Sequence, residues 1–249
     1  MKAALRAIPV SPRSLIIAIL LLASPAPGMA ETFDAVYRAT LAGVPVGTAR
    51  LTGDVGAGAY TIRLKGEASL LGFSNRFEAA SNGASSDARL SPANYVLKTE
   101  GRSPRTVAVN FAGDRAASVS IEPQPSAAEQ EGRLPIELPH LRQVLDPMSA
   151  MMTEILRASR SGNPCDGIAH VFTGSMRFDM TLVSSDRVND EIICRAIYRP
   201  IAGHIPSRSS APTAVLIAYP AAARVGELRL PVRFEIPAPI GTVTIRRTS

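Results

Sequence analysis

The chain has 249 residues, 46% apolar and 19% charged, a balance that excludes a disordered chain. Twenty Pro and 18 Gly argue against a long-helix protein. The formal charge of +6 comes from scattered arginines such as Arg50, Arg63, Arg76, Arg89, Arg102 and Arg105, without an interleaved aromatic ladder, and so does not make a nucleic-acid-binding face.

The first 30 residues have the three-part layout of a cleaved secretory signal. Lys2, Arg6 and Arg13 form a basic start, residues 14–23 (SLIIAILLLA) an apolar run, and Gly28-Met29-Ala30 a small-residue cleavage site before Glu31. A membrane anchor would need about 20 apolar residues, twice the length of this run. Cleaved export is therefore expected, with residues 31–249 as a single mature domain. That domain would carry no transmembrane span. It would hold 24 basic against 21 acidic residues, so half of the whole-chain surplus belongs to the targeting segment.

From residue 31 the apolar pattern has period two. In 60–70 (YTIRLKGEASL), Tyr60, Ile62, Leu64, Ala68 and Leu70 share one face, and Thr61, Arg63, Lys65, Glu67 and Ser69 the other. That alternation predicts a half-buried antiparallel strand. Weaker versions predict strands at 33–41, 44–55, 72–80, 93–100, 105–111 and 116–121. Turn residues separate them at Gly43, Gly56-Ala57-Gly58, Gly72, Ser91-Pro92 and Gly113-Asp114. Residues 122–136 are polar and aperiodic, and read as a surface loop.

One helix follows. Asp146 suits its N-cap and Pro147 its first position. Met148, Met151, Met152, Ile155 and Leu156 recur at i, i+3, i+4, i+7 and i+8, an amphipathic stripe that ends at Ser161-Gly162-Asn163-Pro164. Met148, Met151, Met152 and Ile155 are candidates for an apolar binding groove, since Met adapts to varied ligands. Core packing is the commoner use of such a stripe.

Strand patterns return at 167–172, 175–184, 190–199, 212–219, 226–236 and 240–247. Thr173-Gly174 reads as a two-residue hairpin turn, which sets His170 opposite Arg177. Leu228, Leu230, Val232, Phe234 and Ile236 fall on one face, with Arg229, Arg233 and Glu235 opposite. Pro231 lacks the N–H that a central strand donates, so either an edge strand is expected there or odd-residue amides that point to solvent near a bulge. So many strands exceed what a flat sheet holds. The expected fold is mainly β: an antiparallel meander forming a strongly curved sheet or open barrel, with one helix packed on the concave side.

Cys165 and Cys194 are the two cysteines. An oxidising compartment favours a disulfide, while two free thiols remain the alternative. A strand lies between the two positions in the expected meander, so a bridge requires Cys165 to fold over the sheet end from the 163–167 loop. His140, His170 and His204 lack zinc spacing, and no metal or cofactor is expected. No Gly-x-Ser-x-Gly elbow occurs. Asp146 and Asp179 read as an N-cap and a strand-end residue rather than catalytic acids.

Several segments resemble the DUF3108 family. They are Asp146-Pro147-Met148-Ser149-Ala150, Cys165-Asp166-Gly167, the run from Phe172 to Asp179, Cys194, the run from Tyr198 to Gly203, Leu230-Pro231-Val232-Arg233 and Pro239-Ile240-Gly241-Thr242. The resemblance covers most of the mature chain and is clearest from 146 to 247. Thr173 and Phe178 stand where the family usually has Asp and Tyr. The resemblance implies a β-rich exported protein of Gram-negative bacteria and supplies no catalytic residues. The functional expectation is a non-enzymatic periplasmic protein that binds a lipid, another apolar ligand or a protein partner in the concavity. The alternatives are an envelope hydrolase with an unrecognised site and a structural envelope module.

Overall fold

The computed structural model describes residues 30–70, 72–86, 89–161, 163–206, 213–222 and 227–249; the expected targeting segment lies outside them. Thirteen antiparallel strands form one sheet: β1 (Glu31–Leu41), β2 (Val44–Val55), β3 (Tyr60–Leu70), β4 (Phe73–Ser86), β5 (Arg89–Glu100), β6 (Arg105–Ala112), β7 (Arg115–Glu122), β8 (Gly167–Phe172), β9 (Arg177–Val188), β10 (Glu191–Ala202), β11 (Thr213–Pro220), β12 (Arg233–Ala238) and β13 (Gly241–Arg247). Between β7 and β8 come one helical turn, α1 (Ala127–Gln130), a 3-10 turn (Leu138–Leu141) and the long helix α2 (Pro147–Ser161).

The sheet order is β7-β6-β5-β4-β3-β2-β1-β13-β12-β11-β10-β9-β8. Two meanders, β1–β7 and β8–β13, are joined where the last strand pairs with the first, at Tyr37 opposite Arg247 through Leu41 opposite Val243. A twisted sheet this wide curls on itself, and the result is a nearly closed barrel.

The edge strands β7 and β8 do not pair with each other. The chain between α1 and α2 runs down the seam they leave. At one end Leu134 N–H donates to His204 O and Gly203 N–H to Leu134 O. At the other, Arg142 bridges Arg115, and Val144 N–H donates to Asp114 O. Leu145 N–H then donates to His170 O, and Phe172 N–H to Leu145 O. Two edge groups of β8, the His170 carbonyl and the Phe172 N–H, are thus satisfied without a neighbouring strand. Gly174, with φ of 94°, lies against β6; a Cβ there would come 2.4 Å from Val107 Cγ1. Only glycine fits both that backbone and that contact.

The main core lies inside β1–β6. Phe33, Leu51, Tyr60, Ile62, Leu90 and Val109 pack there against Met148, Met152, Ile155 and Leu156 of α2. The helix is therefore inside the barrel, between β3–β5 and β8.

Four expectations need correction. The β8–β9 loop has four residues, with Phe172 opposite Arg177. This shifts the register by two, which keeps each side chain on its face. His170 consequently faces Asp179, not Arg177. Ser91 and Pro92 lie within β5; the strand tolerates proline there because the β4–β5 ladder bulges between Asn82 and Gly83. Residues 122–136 include the helical turn α1, capped by Ser126 and Glu129. The strand expected over 226–236 begins only at Arg233, and β12 is central, flanked by β11 and β13. Pro231 precedes the ladder, so the sheet loses no donor to it. Its carbonyl accepts the Tyr37 hydroxyl at 3.1 Å instead.

Candidate functional site: a cleft beside the helix

Asp146 anchors the helix start. Its Oδ1 accepts the Met148 and Ser149 amides at 2.9 and 3.0 Å, an N-cap that satisfies two otherwise orphaned donors. Oδ2 accepts the Ser149 hydroxyl at 2.5 Å and the Ser81 hydroxyl of β4 at 2.8 Å. Tyr60 of β3 completes the group, 2.6 Å from Ser149 Oγ and 3.3 Å from Ser81 Oγ, and the two serine oxygens lie 2.9 Å apart. The whole network is buried.

Proton counting constrains its charge. The five oxygen–oxygen contacts share three hydroxyl protons if the carboxyl is ionised, and four if it is neutral. Burial pushes the Asp146 carboxyl up, and its hydrogen bonds offset this only in part. Burial also raises the Tyr60 phenol to about 12, so it is a neutral donor.

The apolar stripe of α2 divides. Met148, Met152 and Ile155 are buried in the main core, while Met151 is half-buried on the flank facing β8. On that flank Pro147, Ala150 and Met151 form one wall of a cleft. The inner faces of β8, β9, β11 and β12 form the other, through Val171, Phe178, Met180, Ile217 and Phe234. The cleft holds about 280 Å³, and almost all of its wall is carbon. Of the four candidate groove residues, Met151 alone lines it. A helix inside a barrel meets apolar walls on two sides, and a heptad-like stripe does not reveal which wall is tightly packed.

Glu154 stands at the edge of the cleft. Its Oε2 accepts both Nε and Nη2 of Arg157, at 3.0 and 2.7 Å. Burial raises its carboxyl despite that pair. Beyond Glu154 a wider groove of about 560 Å³ runs along the open side of β8, past His170, Gln143, Asp114 and Arg89.

The far wall is held by a disulfide. Cys165 and Cys194 are bonded, with Cα atoms 5.1 Å apart. β8 begins opposite Leu182, whereas β9 runs on to Val188. The loop before β8 can therefore fold over the overhang of β9 and reach β10. A bulge in β9 beside Cys194 marks this place. Ala158 of α2 and Tyr219 of β11 pack on the bridge.

On the barrel's outer face a polar trio lies across β8 and β9. The His170 ring and the Arg177 guanidinium meet one Asp179 oxygen at 2.6 and 2.7 Å. Burial alone would raise the Asp179 carboxyl, but His170 and Arg177 outweigh it and hold it low. The expected two-residue turn would set Asp179 two residues away from His170, whereas the four-residue loop brings them opposite each other. Among the described residues, no hydroxyl or thiol is hydrogen-bonded to His170, and no group of His, Cys, Asp and Glu gathers as a metal site. No helix among them is long and apolar enough to cross a membrane.

No curated protein and no solved structure matches the chain. A family model described as "Protein of unknown function (DUF3108)" matches residues 36–248, nearly the whole length, and the chain belongs to that family.

Proposed function

We propose that the protein is a non-enzymatic carrier or sensor of the bacterial periplasm that takes an apolar or amphipathic ligand into the cleft between α2 and β8–β12. The observation that carries this reading is a carbon-walled space of about 280 Å³ between α2 and the inner faces of β8, β9, β11 and β12. Small-molecule sites run from about 300 to 1,000 Å³ and are mostly apolar with few polar groups. At about 280 Å³ this cleft lies just below that range, a size that suits one aliphatic chain. The neighbouring Glu154 and Arg157 supply a polar edge where a headgroup could leave toward the wider groove. Export rests on the basic, apolar and small-residue order of the first 30 residues, and the disulfide agrees with an oxidising compartment.

The His170–Asp179 pair is the feature that favours a hydrolase, yet it lies on the outer face and lacks a hydrogen-bonded nucleophile among the described residues. Native mass spectrometry of protein purified without detergent tests the ligand reading. The expected result is an adduct of lipid mass that disappears in Met151→Trp, which fills the cleft. Absence of any adduct, together with no uptake of a fluorescent fatty acid by the stripped protein, would overturn it.

A further inference from the structure

The edge of β8 that faces the seam is only half covered. Leu145 N–H donates to His170 O, and Phe172 N–H to Leu145 O. The backbone groups of the even-numbered residues of β8 therefore point into the seam, and those of 167, 169 and 171 point to β9. Thr173 N–H, donating to Met176 O, continues that alternation. The N–H and C=O of Ile168 and the N–H of His170 thus also face the seam, and none of them has a hydrogen-bond partner among the described residues. Ile168 is 59% exposed.

The chain itself begins the missing strand and then leaves it. Leu145 bridges Val171 in the parallel sense, and a straight path backward from Leu145 would lay Gln143 beside Ile168 and His170. Gln143 instead takes a left-handed φ of 53°, and the chain crosses to β7, where Arg142 bridges Arg115. The place left open is the groove of about 560 Å³. β8 forms one wall, and the start of β5 with the Gly113-Asp114 turn forms the other. Thr153 and Glu154 of α2 lie along its floor. Thr153 Oγ1 is buried there without a hydrogen-bond partner, although a helical threonine can return its hydroxyl to the preceding turn.

We propose that this groove takes one extended segment of a partner protein, added as a strand along residues 167–170 of β8. Unpaired N–H and C=O groups at strand spacing are matched by another extended backbone about 4.8 Å away, and an aliphatic chain offers nothing to them. A segment running parallel to β8 repeats the pattern Leu145 makes: it donates to Ile168 O and accepts from His170 N–H. Its inward-pointing side chain meets the Thr153 hydroxyl. The β8 of a second copy would arrive with β9 behind it, whereas the wall at β5 and the β6–β7 turn leaves space for a single chain. The inference goes beyond the apolar cleft and does not rest on it.

The test pans a display library of random peptides about seven residues long against the full chain. The recovered peptide is then synthesised and its affinity measured by fluorescence anisotropy. The expected binder protects the amides of 166–171 from hydrogen exchange. Its affinity should fall by at least about tenfold when the alternate amides that face β8 are N-methylated, and hold when the intervening ones are. Ile168→Pro should cause a similar loss, because the ring replaces an N–H that β9 does not use and stands where the added backbone must lie. Circular dichroism checks that this variant folds. Thr153→Val removes only the unpartnered hydroxyl, so it should keep its melting temperature and bind the peptide about threefold or more weakly. Met151→Trp, which fills the cleft, should leave peptide binding unchanged, so this proposal and the ligand reading fail separately. Recovery of no peptide, indifference to which amides are methylated, or full binding by folded Ile168→Pro and Thr153→Val would overturn the proposal. So would a concentration-dependent dimer that Ile168→Pro abolishes, since a second copy would then cover the edge.

Discussion

The Asp146 carboxylate and the Ser81 hydroxyl meet 2.8 Å apart, tying the first turn of α2 to the inner face of β4 across 65 positions of sequence. The contact fixes how the helix enters the barrel, and hence which flank of it remains for the cleft. It is also a place where a buried carboxyl must be either neutral or costly.

Asp146 should make stability fall with rising pH. Its folded value is raised, so the folded state holds a proton that the unfolded chain, with a value of about 3.9, releases. The stabilising contribution is fully present below about pH 4 and is lost as pH rises through the raised folded value. Asp146→Asn removes the titration, and its two amide protons can serve both serines. Denaturant unfolding of both proteins from pH 4 to pH 9 checks this. The stability of the parent relative to Asp146→Asn should decline with pH; parallel curves would show an ordinary carboxyl. Asp146→Ala should cost about 2–4 kcal/mol, since it strands two helix amides and two hydroxyls.

The disulfide closes a span with a sequence separation of 29. Cys194→Ala should cost about 2–5 kcal/mol. Intact mass after alkylation of unfolded, unreduced protein checks the bond itself, and no alkyl groups should be taken up.

The two flanks of α2 should respond differently. Ile155 is fully buried, so Ile155→Ala should cost about 2–5 kcal/mol and Ile155→Asp should prevent folding. Met151 is half-buried beside open space, and Met151→Ser should cost less than about 1.5 kcal/mol. Thermal unfolding of the variants separates the flanks. Equal losses at 151 and 155 would mean that the cleft is closed in solution.

The sequence makes the barrel legible because period-two alternation survives wherever one strand face is buried. All thirteen strand segments read from that pattern have a counterpart in the structure. Face parity at β8–β9 survives an error of two in the turn, since a shift by two preserves it. The disulfide is legible from compartment logic, and its detour over the sheet end from the requirement for proximity. The seam is not legible: residues 134–145 pair through isolated backbone contacts and leave no periodicity. Nor is the buried network, because Ser81 and Tyr60 gain meaning only once β3 and β4 curve around Asp146. The cleft is half legible, in Met151 but not in the β8–β12 wall opposite it.

The last prediction concerns β12, where one residue works against its exposed-face reading. Phe234 does point inward, lining the cleft 6.1 Å from the Tyr37 ring, but it is only half-buried. Phe234→Ala should therefore cost about 1.5–3 kcal/mol, below the figure for a closed core. Arg233 lies on the outer face, yet its side chain is only 15% exposed. It reaches past β11 to Glu191 of β10 and also pairs with Glu235. The register explains the reach: Ala218 of β11 stands opposite Arg233, and its methyl group is too short to block it. Arg233→Ala should then cost about 1–2 kcal/mol, more than a solvated arginine would. Because Arg233 and Glu191 share one interaction, the double variant should be less destabilised than the sum of the singles by about 0.5–1 kcal/mol. Urea unfolding of the four proteins measures that coupling. Additive losses would show that the pair contributes nothing and that Arg233 matters only by covering β11.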